Sequence, residues 1–212
     1  MMRKDARIPP CLPGFEQIRR IWSEQDNICI AKVLPGEFYV TTRDEEIVTV
    51  LGSCVAACIR DRVTRVGGMN HFMLPVITDQ RLRDERQEII GASTRYGNYA
   101  MEHLINTILQ YGGQRGNLEV KVFGGGRVMA AMTDVGQSNI RFVLDYLETE
   151  RIPIVSSDLG DIYPRKVVFY PDTGRVRVKK LKETPPLTVV SREMKYRESI
   201  RDLPVESQVE LF

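Results

Sequence analysis

Two largely apolar runs, Ile47 to Ile59 and Val66 to Leu74, stand only six residues apart, joined by Arg60-Asp61-Arg62-Val63-Thr64-Arg65. A connection this short makes neighbouring strands antiparallel, so residues 55–74 are predicted to form a hairpin in the core. Inside the first run, Gly52-Ser53 marks a tight change of direction after an apolar, β-branched strand, Ile47 to Leu51. The small apolar residues Val55 to Ile59 suit a buried strand or the first turns of a helix, and periodicity does not separate the two. Cys54 follows the turn directly, and His71, one of two histidines in the chain, lies in the second run. At its free pKa of about 8.5 a thiol is only slightly ionised at neutral pH, and an imidazole within hydrogen-bond reach supplies the base that activates it. The N–H groups of a Gly-Ser turn can converge on an oxyanion.

Each of these residues also has a plainer reading. A buried cysteine is most often inert. His71, among Met69, Phe72 and Met73, reads equally well as a satisfied core histidine, and His103 falls on the polar flank of a helix. Gly124-Gly125-Gly126 lacks the Lys-Ser/Thr and the full spacing of a phosphate loop, and reads better as a bend bringing backbone close to a site or partner. Cys54 and Cys58 have no further ligands at zinc-like spacing, so no metal is expected; Cys11 and Cys29 read as incidental.

At 212 residues with 42% hydrophobic content the chain can bury one substantial core without disulfides, and a net charge of +2 is too mild to argue for nucleic acid. No apolar run approaches the roughly 20 residues that span a bilayer. The first thirteen residues lack the apolar stretch of a secretory signal, so a cytoplasmic location is expected.

Residues 1–27, polar and proline-bearing, are expected to form an arm with a short helix over Phe15 to Trp22. Cys29 to Val33 and Glu37 to Thr41 read as strands about a Pro35-Gly36 turn, and Asp79 to Glu88 as a charged loop or helical turn. Tyr96, Ala100, Leu104 and Ile108 predict a helix capped by Ser93 or Thr94 and running to about Tyr111. A strand over Leu118 to Phe123 leads into the triple glycine. Ser138 is expected to cap a second helix with Ile140, Val143, Leu144 and Leu147 on its buried face. Ile152 to Val155 reads as a strand, Asp158 to Asp161 as a loop, and Val167 to Tyr170 with Val176 to Val178 as a hairpin. Glu183-Thr184-Pro185-Pro186 reads as a linker, and Ser191 to Arg201 as a charged, weakly amphipathic segment that is either partner-binding or disordered.

Leu51-Gly52-Ser53-Cys54-Val55-Ala56 together with Gly67-Gly68-Met69-Asn70-His71-Phe72-Met73-Leu74-Pro75 resembles the CheD family of chemoreceptor glutamine deamidases. The likeness continues through Lys121 to Gly125, Gly136 to Asn139, Ile152 to Val155, Asp158 to Gly160 and the Arg165 to Val178 hairpin. It implies an α/β (α+β) fold of mixed β-sheets packed as a sandwich with flanking helices, similar to the catalytic domains of deamidating toxins. The likeness covers about residues 30 to 180, and with the composition of the two ends it divides the chain into an arm (1–27), a deamidase domain (28–182) and a tail (183–212). It also implies a Cys-His-Thr triad, which falls on Cys54, His71 and Thr49, with backbone at Gly52 and Ser53 supporting the oxyanion and no cofactor. Asp161, Ile162 and Pro164 depart from the glycine, asparagine and glycine usual in that loop, while Arg165 is retained.

The implied activity is conversion of receptor glutamines to glutamates with ammonia release through a thioester. The implied partners are the helical bundle of a chemoreceptor and a CheC-type phosphatase. The alternative is a non-catalytic adaptor that binds either of these. A protease or transglutaminase built on the same dyad is a weaker third reading.

Overall fold

The computed structural model describes residues 7–75, 86–128, 133–182 and 187–201. In chain order the elements are β1 (Arg19–Ser23), β2 (Ile28–Lys32), β3 (Phe38–Thr41), β4 (Glu45–Leu51), β5 (Val55–Asp61), β6 (Gly67–Asn70) and α1 (Arg86–Gln110). They continue with β7 (Leu118–Gly124), α2 (Thr133–Thr149), β8 (Ile154–Leu159), β9 (Arg165–Tyr170), β10 (Arg175–Lys180) and α3 (Leu187–Arg201).

The strands form two mixed sheets of five, in the orders β1-β2-β4-β9-β10 and β3-β6-β5-β7-β8. The predicted hairpin is present: β5 and β6 pair antiparallel, and a bridge from Val55 to Phe72 carries the pairing past His71. Val55 to Ile59 is therefore strand, settled by pairing along its whole length with β7 as well. Each sheet contains one parallel pair, β2 with β4 and β7 with β8. Residues from both sheets share one apolar core; Ile47 and Leu51 of β4 and Ile59 of β5 are fully buried in it. α1 covers the second sheet with Met101, Leu104, Ile105 and Ile108.

The chain passes from the first sheet to the second between β4 and β5, over Gly52, Ser53 and Cys54. The Cys-bearing turn is thus the crossing point between the two layers. Thr49 stays behind on the first sheet, whereas His71 follows the last residue of β6 on the second.

Several local expectations are corrected. The segment at Phe15 to Trp22 is not helical: Arg19–Ser23 is a strand, paired antiparallel with β2, and Phe15 and Ile18 are buried. Edge-on contacts of the Phe15 ring with Phe38 and Tyr39, centroids 5.2 Å apart in both cases, hold this part of the chain down. Tertiary pairing overrides the local signal here. α1 begins at Arg86, before Ser93 and Thr94, and α2 begins at Thr133, so Ser138 lies inside the helix rather than at its cap. Leu144 is exposed, leaving Ile140, Val143 and Leu147 to pack inward. Asp158 and Leu159 belong to β8 rather than to a loop. Residues 1–6 and 79–85, the Glu183–Pro186 linker and 202–212 lie outside the described residues. Among the described residues no helix is long and apolar enough to cross a membrane.

Candidate active site

The turn between β4 and β5 is held by its carbonyls. Gly126 N–H donates to Gly52 O (2.7 Å), Asn139 Nδ2 to Ser53 O (2.9 Å) and Gly125 N–H to Cys54 O (2.8 Å). A trans peptide is planar, with its C=O and the following N–H pointing in opposite directions. Tying the Gly52 and Ser53 carbonyls on one side therefore aims the N–H groups of Ser53 and Cys54 to the other. Gly125 and Gly126 of the triple glycine make two of the three tethers, those to Cys54 O and Gly52 O, in keeping with the reading of a bend that brings backbone close to a site. Gly124 has φ +111, and a Cβ there would lie 2.2 Å from the Cys54 carbonyl oxygen, so only glycine fits. Asn139 is fully buried and doubly used, because its Oδ1 also accepts Leu74 N–H at 2.8 Å.

His71 is fixed through its backbone and through its ring. Its N–H donates to Glu37 O (2.9 Å) and its O accepts Gly36 N–H (2.7 Å), which pins it to the turn between β2 and β3. Its Nδ1 lies 2.8 Å from Thr49 Oγ1. That hydroxyl donates its one hydrogen to Val33 O at 2.7 Å, so toward His71 it can only accept. Nδ1 therefore carries the ring hydrogen, and Nε2 presents a lone pair. Nε2 is buried and has no hydrogen-bond partner. A buried, unpartnered lone pair is the form a proton acceptor takes before it acts.

Cys54 Sγ, a His71 ring nitrogen and a Glu193 carboxylate oxygen all lie within 4.8 Å of one another. Glu193 comes from α3 and is buried. One carboxylate oxygen accepts Gly52 N–H (2.7 Å) and Cys54 N–H (3.3 Å); the other accepts Ser53 N–H and Ser53 Oγ–H, both at 2.9 Å. Three backbone N–H groups and a hydroxyl thus converge on one anionic group, as an oxyanion hole requires. The same trio is the only grouping with metal-ligand spacing among the described residues, yet Glu193 is already turned to the backbone donors.

Burial, and then the Glu193 charge beside it, push the Cys54 thiol well above its ordinary range. Burial drives the His71 imidazole below its ordinary value, against the opposing pull of Glu193. In this arrangement both groups are neutral at pH 7: a thiol beside an imidazole base.

The sequence-predicted Cys54, His71, Thr49, Ser53 and Gly52 are all brought to one place. His103 is exposed on α1 and is not part of the Cys54, His71 and Glu193 group; its ring is edge-on to Phe38. Arg165, fully buried, ties down the β8–β9 loop through Asp158 Oδ1 (2.8 Å) and the carbonyls of Asp158 and Gly160. In the same loop Asp161 adopts φ +72, and its carboxylate accepts Ile162 N–H and Lys180 Nζ. Asp tolerates this left-handed conformation better than most side chains because it hydrogen-bonds locally. Sequence reasoning missed Glu193 and the bridging role of Asn139. Asn139 lies in the Gly136 to Asn139 stretch that carries the family likeness, whereas nothing in a polar helix sets Glu193 apart from its charged neighbours.

Residues 73–180 match the family described as CheD chemotactic sensory transduction. The chain is 54% identical over 209 residues to "Probable chemoreceptor glutamine deamidase CheD" of Halorhodospira halophila, covering 99% of this chain and 96% of the relative. It is 47% identical over 214 residues to the protein of the same name in Saccharophagus degradans, covering 99% and 97%. The counterpart in Hahella chejuensis is 45% identical over 211 residues, covering 99% and 98%.

Proposed function

The chain belongs to the CheD family, and from that premise we propose that it is a protein-glutamine glutaminase that deamidates chemoreceptor glutamines by a thioester mechanism. The observation that supports the mechanism is the buried, unpartnered Nε2 of His71, on a ring with a nitrogen within 4.8 Å of Cys54 Sγ, next to a convergent set of N–H donors.

His71 Nε2 takes the proton of Cys54, and the sulfur attacks the side-chain amide carbon. The carbonyl oxygen, now an oxyanion, is held by the N–H groups of Gly52, Ser53 and Cys54. Where measured in other enzymes, one such donor contributes about 2.7–4 kcal/mol. His71 returns its proton to the nitrogen, the C–N bond breaks, and ammonia leaves an acyl-thioester. His71 then deprotonates a water, which attacks the thioester; the C–S bond breaks, giving glutamate and the free thiol. Thr49 keeps the hydrogen on Nδ1 so that Nε2 stays the acceptor, the orienting role of a triad's third member. The residues that do this work require no cofactor.

Incubating the protein with the cytoplasmic helical fragment of a receptor should add about one dalton at chosen glutamines, the chemical difference between amide and acid, with one ammonia per site. Cleaved peptide, or an added amine incorporated in place of water at the thioester, would assign the dyad to proteolysis or transamidation instead. Unaltered receptor fragments would remove the reading altogether.

The role of Thr49 has its own signature. Thr49→Val removes the acceptor for Nδ1–H and should lower kcat on the order of 10²-fold with KM little moved. Thr49→Ser keeps the acceptor and should restore most of the rate. An undiminished rate in Thr49→Val with a loss in Thr49→Ser would mean that the methyl group, not the hydroxyl, matters.

A further inference from the structure

Glu193 is the product of the proposed reaction, carried on a helix and seated in the place where that reaction would leave it. Its two oxygens take every donor available to a tetrahedral oxyanion at the turn, and the carboxylate lies within 4.8 Å of the nucleophile and the base. The fit extends beyond one side chain. Tyr196, three residues on and so on the same helix face, covers Gly36, where a Cβ would lie 2.5 Å from its ring. Its hydroxyl meets that of Tyr96 on α1. A Cβ on Gly52 would lie 2.7 Å from the Glu193 carboxylate, so the turn also lacks a side chain where the helix approaches. Beside this seat a cavity of about 310 Å³, lined by Val33, Leu34, Thr49, His71, Arg192 and Glu193, runs along the base.

We propose that α3 is a built-in product analogue: it occupies the substrate subsite as a receptor helix does, and a receptor must displace it to be deamidated. This rests on the deamidase reading above. The recognised unit is then a glutamine on an intact helix with an aromatic ring three residues later, laid across Gly36 and the Gly52–Cys54 turn. Receptor turnover is limited by the fraction of molecules in which α3 has left.

The decisive variant is Glu193→Gln in the full chain, which places an amide in the seat and makes the protein its own substrate. Water adds and ammonia leaves, so the peptide containing position 193 should be recovered as glutamate, about one dalton heavier than encoded. The rate should be independent of protein concentration, and Glu193→Gln combined with Cys54→Ala should retain glutamine. If the introduced amide persists while the same protein still deamidates receptor fragments, the seat is not the substrate subsite and the proposal fails with the activity reading intact. If neither the introduced amide nor the receptor glutamines are touched, the activity reading falls and takes this proposal with it.

Glu193→Ala is the second arm. It should raise receptor deamidation about tenfold or more and speed alkylation of Cys54 by iodoacetamide. Unchanged rates in both assays would overturn the occlusion. A loss of deamidation would also overturn it, by making Glu193 part of the working site.

Discussion

Cys54→Ala should reduce receptor deamidation at least about 10⁴-fold, to the uncatalysed background, while leaving circular dichroism and the cooperative unfolding transition in place. The size of the effect follows from the chemistry: without sulfur there is no thioester, and the remaining N–H donors stabilise an oxyanion that water forms poorly. The fold should survive because Cys54 contributes only a small buried side chain, whose loss costs about 1–2 kcal/mol, while the carbonyl tethers of the turn are independent of its sulfur. His71→Ala should fall almost as far, and combining the two should add little, since each disables the same step. Residual turnover within tenfold of the parent protein would sink the thioester. The same variant separates enzyme from adaptor: a Cys54→Ala protein that binds receptors and still supports normal chemotactic behaviour would place the function in binding.

Asn139→Ala should cost about 2–6 kcal/mol of stability and also damage catalysis. Its carboxamide answers two buried backbone groups, Leu74 N–H and Ser53 O. Leaving each unpaired costs about 1–3 kcal/mol. For a chain of this length that corresponds to a fall of about 4–24 °C in melting temperature. The catalytic part of the effect arises because Ser53 O, once released, no longer fixes the plane that aims Cys54 N–H into the oxyanion seat. Asn139→Asp should not rescue it: the acid can still accept Leu74 N–H but turns an oxygen toward the Ser53 carbonyl. Thermal melts and kcat measured on the folded fraction check the two effects separately, and an unshifted melt would show that water replaces the amide.

How much of this is legible in the chain depends on whether partners are close along it. The Cys54–His71 association is readable because a six-residue connection leaves a hairpin as the simple solution, and the observed bridge from Val55 to Phe72 places the two residues at neighbouring positions. Thr49 comes only through family likeness, since no local signal distinguishes a threonine that will donate to Val33 O on an adjacent strand. The helix starts mislead because Ser93, Thr94 and Ser138 carry cap chemistry, yet helices already under way absorb such residues without ending. β1 misleads because five residues hold too little periodicity to outweigh nearby prolines, and its partner β2 decides the matter. Glu193 is invisible for a stronger reason. It lies 139 residues from Cys54, in a segment whose polarity suits solvent, and only tertiary docking buries it.

The division of the site between two layers bears on how activity is lost. Thr49 hangs from one layer, while Cys54 stands just before the start of β5 and His71 just after the end of β6 in the other. A chain in which the layers have formed but not yet docked holds a sulfur with no primed acceptor, and a histidine free to tautomerise. On the proposed mechanism, hydrolytic power needs both layers docked, so inactivation on heating should run ahead of the loss of either sheet.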